Sequence, residues 1–175
     1  MRAPAFFDFA EVGAPGASDW MVMSDFNPPS APNVVVQTVG NRPSGSIAVA
    51  LRRNLSCRDG RLSVALKKTS GRGGMVFRMA SGKDFLILLV DSSSGDARLV
   101  SYRSGKPTEL ASGQAAFDLE WGVLAVEASG ADVKATWAGK PLLSGKDPAP
   151  APGRAGMATA GPGSAAFDEF IVEPR

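Results

Sequence analysis

The chain has 175 residues, 44% apolar and 21% charged, with a formal net charge of +2, a profile that fits one soluble globular domain with a continuous core. It has no histidine and a single cysteine, Cys57. That excludes Ser-His-Asp and Cys-His catalysis, histidine-ligated zinc, a cysteine-cluster metal site, a histidine pH switch and an intrachain disulfide.

Twenty glycines and 13 prolines punctuate the whole length, the composition of many short strands joined by turns. Ala5-Phe6-Phe7-Asp8-Phe9 reads as a first strand ended by Gly13, Pro15 and Gly16, and Trp20–Met23 as a second. Asn27–Pro32 interrupts regular structure because its prolines donate no amide hydrogen. The β-branched run Asn33–Thr38 follows, then Ser46–Leu51 and Arg61–Lys67. In the last of these Leu62, Val64 and Leu66 alternate with Arg61, Ser63, Ala65 and Lys67, which predicts one core face and one wet face.

The stretch Gly74–Val90 predicts a central hairpin around the turn cluster Ser81-Gly82-Lys83-Asp84. Its second arm, Phe85–Val90, is apolar at every position and too short for a helix, so both faces are expected to be buried. The period of two then puts Val76, Arg78 and Ala80 on one face with Phe85, Ile87 and Leu89. Beyond it come Ala97–Tyr102, a short return at Thr108–Ala111, then Trp121–Ala128 and Ala131–Trp137 around Ser129-Gly130, and Lys140–Leu143. Gly122, Val123 and Val126 favour strand over helix for Phe117–Ala128. Gly156–Ala160 and Ala165–Glu173 complete an all-β pattern of two packed antiparallel sheets over residues 1–175, with the Phe6–Phe9 and Phe167–Val172 runs expected in one sheet.

The order of stations Gly74-Met75-Val76-Phe77-Arg78, Ser104-Gly105-Lys106, Trp121–Val126, Gly153–Met157 and Phe167-Asp168-Glu169-Phe170 resembles the concanavalin A-like lectin/glucanase jelly rolls, and within them the bacterial laminin-G-like, 3-keto-disaccharide hydrolase-like group. The resemblance implies a curved β-sandwich, usually exported, whose concave face is the common site for carbohydrate or other ligands. Tyrosines and an arginine that relatives carry on the strand matching Phe85–Val90 are replaced here by aliphatic side chains, so the groove is expected to be more apolar than theirs.

Glycoside hydrolysis needs two carboxylates about 5 Å or about 6.5–9.5 Å apart, and no Glu-x-Asp-x-Glu string supplies them; Asp118-Leu119-Glu120 is the nearest approach. No catalytic residue and no metal ligand set is assigned, although Asp168 is a candidate for a structural Ca²⁺. The ligand-binding candidates are Arg78, an arginine in an apolar strand that is either paired with a carboxylate or open to a groove, and Trp137, which is either a stacking platform or core. Trp121 is expected in the core, and Cys57 is expected buried and unreactive. Eight basic residues against one acid between Leu51 and Ala80 read as a solvated basic edge rather than a nucleic-acid site, since no aromatics interleave them.

The expected function is a non-catalytic lectin-like module that binds a saccharide or similar ligand weakly. The alternatives are a glycoside-processing enzyme of the 3-keto-disaccharide hydrolase type and a structural or interaction domain. No apolar run approaches the ~20 residues of a membrane span. Met1-Arg2-Ala3-Pro4 lacks the apolar core of a signal peptide. The resemblance implies a periplasmic or extracellular site with the leader absent from this chain, and a cytoplasmic one is the alternative.

Overall fold

A computed structural model describes residues 5–175; the reading of Met1–Pro4 lies outside them. The strands in chain order are β1 Phe7–Gly13, β2 Trp20–Ser24, β3 Asn33–Gln37, β4 Ser46–Arg52, β5 Gly60–Lys67, β6 Arg72–Ser81 and β7 Asp84–Asp91. They continue as β8 Asp96–Arg103, β9 Lys106–Gln114, β10 Trp121–Ser129, β11 Asp132–Trp137, β12 Lys140–Lys146, β13 Arg154–Ala160 and β14 Ala165–Pro174. No helix occurs among the described residues. The strand reading of Trp121–Ala128 holds because Leu124, Val126 and Ala128 alternate into the core.

Two antiparallel seven-stranded sheets run in the orders β1-β4-β13-β6-β7-β8-β9 and β12-β11-β10-β5-β14-β3-β2. Their inner faces enclose the main core. The period of two on β5 sends Leu62, Val64 and Leu66 into it. The opposite face of β5, expected to be wet, is partly covered: Ala65 is 1% exposed. The loop before β3 lies over that side, held by Lys67 Nζ on Asp25 at 2.6 Å and by the Ser30 amide and hydroxyl donating to Asp168 at 2.6 and 2.7 Å.

Strand β7 is buried on both faces, as its sequence requires. Leu86, Leu88 and Val90 join the core between the sheets, while Phe85 and Ile87 join a second apolar cluster with Ile47, Val49, Leu51 and Val76 on the other face of the first sheet.

Two further expectations fail. The first and last strands are not in one sheet: β1 is an edge of the first and pairs with β4, while β14 lies inside the second between β5 and β3. They meet face to face instead, with the rings of Phe7 and Phe170 6.1 Å apart. The face assigned to Arg78 is also wrong. The β6–β7 register runs from Phe77↔Leu86 to Ser81↔Asp84, so β6 carries a bulge, and Arg78 takes a left-handed φ of 51°. That irregularity resets the alternation, and Met79, not Arg78, packs with Phe85 in the outer cluster. It also bends the hairpin tip over the outer face. A Cβ on Gly82 would sit 3.4 Å from Val12 Cγ1 on edge strand β1, so the tip and the edge strand close over the outer face of the first sheet, which is concave there.

Candidate functional site

Strand β8 sends Ala97, Leu99 and Ser101 inward, so the period of two turns Asp96, Arg98, Val100 and Tyr102 toward the concave face. Ladder neighbours bring Leu89 beside Arg98, Arg72 beside Asp91 and Ile47 beside Ala160. Together they line a cavity of about 440 Å³. Its floor is aliphatic, from Ile47, Leu89, Val100 and Ala160.

Its rim is ionic, and the charges are matched. Arg72 Nε lies 3.3 Å from Asp91 Oδ2; Arg98 reaches Asp96 at 2.9 Å and Glu109 at 3.0 Å. Burial alone would raise the Asp91 carboxyl, but hydrogen bonds from the Ser93 hydroxyl and amide, Arg72 and the Ser94 amide hold it below the ordinary carboxylate range. Tyr102 closes one end, its ring stacked on Phe85 at 4.5 Å and 13°, and burial raises its phenol. Tyr102 and Phe85 also wall a neighbouring recess beside Glu11, Val12, Gly82 and Lys83.

Neither sequence-derived ligand residue faces this groove. The Arg78 side chain is 1% exposed, and all three of its nitrogens are engaged. Its Nη1 donates to Asp147 at 2.9 Å, its Nη2 to Gly130 O at 2.7 Å and Asp59 at 3.2 Å, and its Nε to Arg58 O at 2.8 Å. Of the two readings left open, the structure has the ion pair. Arg103 completes the network through Asp147 at 2.7 Å. Trp137 is 5% exposed, packs 4.4 Å from the Phe117 ring and donates its indole N–H to Ala116 O at 2.8 Å. It is core, in the slot left by Gly122, where any Cβ would lie 2.2 Å from the indole.

Trp121, expected in the core, is instead half-buried, with Lys67 Nζ 5.8 Å from its ring centroid. Its register partner is Lys67, on the face of β5 that points away from the main core. Glu120 pairs with Lys67 at 3.1 Å. The basic segment is largely neutralised: Arg53 pairs with Asp8, Arg58 with Asp59, and Arg72 with Asp91. Cys57 is half-buried in a bridge to Gly153, and burial raises its thiol. Among the described residues no group of three or more Asp, Glu, Cys or His is placed to hold a metal ion.

What the sequence reading missed, Asp96, Arg98 and Tyr102, carried a usable signal. The alternation Asp-Ala-Arg-Leu-Val-Ser-Tyr in β8 separates a polar face from a small and apolar one.

No family model matches the sequence, and no curated protein does. Solved structures do. Carbohydrate-binding module CBM66 from Bacillus subtilis superposes at TM-score 0.71 with 14% identity over 97% of both chains. A β-glucanase from Bacillus licheniformis matches at 0.66 with 10% identity, covering 99% of this chain and 94% of that one. A galectin-like protein of unknown function from Bacillus subtilis matches at 0.64 with 15% identity over 96% and 91%. With two antiparallel seven-stranded sheets and these superpositions along nearly its full length, the chain has the concanavalin A-like jelly-roll fold.

Proposed function

We propose that this chain is a non-catalytic, lectin-like module that binds a saccharide in the concave cavity of the first sheet. The observation that carries the reading is the pairing of an aliphatic floor with a preorganised ionic rim, in a cavity of about 440 Å³, within the usual range of roughly 300–1,000 Å³ for small-molecule sites. Carboxylates of Asp91 and Asp96 accept from sugar hydroxyls, and the planar guanidinium forks of Arg72 and Arg98 donate to them. Because each charge already has its partner, a neutral sugar need not leave one stranded on binding.

The same pairing argues against hydrolysis. A general acid needs a carboxyl with a raised pKa, and Asp91 is held low by its hydrogen bonds. Affinity is expected to be modest, since the one aromatic at the cavity, Tyr102, is already stacked on Phe85. A saccharide target fits a periplasmic or extracellular location, which is part of the proposal.

Glycan-array screening followed by calorimetry tests it. The wild type is expected to bind at least one saccharide class, with Arg98→Ala weakening it about tenfold or more while the melting temperature holds. A wild type that binds no saccharide at millimolar concentration overturns the reading.

A further inference from the structure

Resting on the saccharide reading above, we infer that the sugar unit in this cavity bears a methyl group, as a 6-deoxyhexose or an N-acetylated hexosamine does, and that the methyl is what the aliphatic floor recognises. A hexose that turns its hydroxymethyl group onto this floor would need a polar partner there. Here the charged groups sit at the rim, Arg72 with Asp91 and Arg98 with Asp96, and the floor beneath them is aliphatic.

Asp91 shows this best. One oxygen accepts from the Ser93 hydroxyl at 2.6 Å and the Ser93 amide at 2.9 Å, and the other faces Arg72 Nε at 3.3 Å. Arg98 likewise spends Nε on Asp96 at 2.9 Å and Nη1 on Glu109 at 3.0 Å. What remains free, the Nη groups of Arg72, Nη2 of Arg98 and one oxygen of Asp96, lies at the rim and not on the floor.

The floor offers no polar atom from a side chain. Ile47, Leu89, Val100 and Ala160 come from four different strands, and Leu89 and Val100 are only half-buried, so their apolar surface faces the cavity. A hydroxyl lowered onto that surface loses its water without gaining a partner. A methyl there sheds water to advantage. One apolar carbon in such a pocket is worth roughly 10- to 200-fold in affinity.

Calorimetric titration with matched sugar pairs tests the inference: methyl L-fucoside against methyl L-galactoside, methyl L-rhamnoside against methyl L-mannoside, and methyl N-acetylglucosaminide against methyl glucoside. The methyl-bearing partner of at least one pair is expected to bind tenfold or more tightly. Preference in the first two pairs marks a deoxy sugar and preference in the third an N-acetyl group; either supports the inference. The isosteric Val100→Thr variant and, as a second probe, Leu89→Asn should reduce the ratio to under threefold without lowering the melting temperature by more than a few degrees. Binding in which the fully hydroxylated partners are equal or better overturns the methyl preference and leaves the saccharide reading standing. Absence of binding to these sugars and to a broad glycan array overturns the saccharide reading itself.

Discussion

Arg78 illustrates how a charge inside an apolar strand is kept. Its guanidinium sits between Asp147, 0% exposed, and Asp59, and its remaining donors reach the carbonyls of Arg58 and Gly130. It ties the bulge of β6 to the turns after β4, β10 and β12. Removing one partner of such a pair leaves the other charge buried and alone. Arg78→Met should therefore destabilise by roughly 3–5 kcal/mol, read as a lowered urea midpoint, while saccharide affinity measured below the melting transition stays unchanged. A variant as stable as the wild type contradicts the structural role, and one of normal stability that loses binding restores Arg78 to the ligand.

At the scale of elements, the edge strand β1 is held by its ladder with β4 on one side and by aromatic contacts across the sandwich on the other. Phe7 meets Phe170 at 6.1 Å, and Phe9 stacks on Trp20 at 6.2 Å. The Phe7–Phe170 contact joins the first strand of one sheet to the last strand of the other. A double-mutant cycle with Phe7→Ala and Phe170→Ala should return a coupling of about 0.5–1.5 kcal/mol. Additive single effects would mean that β1 is held by its ladder alone.

For the molecule as a whole, the absence of histidine and the many ion pairs shape the pH response. The Lys67 hydrogen bond lowers the carboxyl of Asp25, Arg53 and Arg154 lower that of Asp8, and Asp91 is lowered by its hydrogen bonds against the effect of burial. A depressed folded-state pKa contributes stability that is present above the unfolded value, about 3.9 for Asp, and is lost as pH falls through the folded one. The raised groups act at the other end. Cys57, raised by burial, and Lys67, raised by its hydrogen bond to Asp25, hold stability that falls away above about pH 8.5 and about pH 10.4 respectively. Urea midpoints measured from pH 2 to 11 should show a plateau from about pH 5 to 8 with declines on both sides; a step near pH 6.5 would contradict this account.

Much of the architecture was legible before the structure, because it rests on local periodicity. The alternation in Arg61–Lys67, the uniformly apolar Phe85–Val90 and the Gly/Pro spacing each report burial through neighbours only one or two residues away, and β5, β7 and the all-β layering follow from them. The site was not legible in the same way. One bulge at Arg78 reset the face of every later residue in its strand, and a period-two argument has no term for an inserted residue. Whether Trp137 is platform or core turned on Gly122 making room for its indole, and β1 and β14 could be assigned to opposite sheets only once their partners β4, β5 and β3 were known. Tertiary structure alone decided the cavity, because β4 and β13, far in the chain from the β6–β8 meander and from each other, bring Ile47 and Ala160 to the floor beneath the rim charges of β6, β7 and β8.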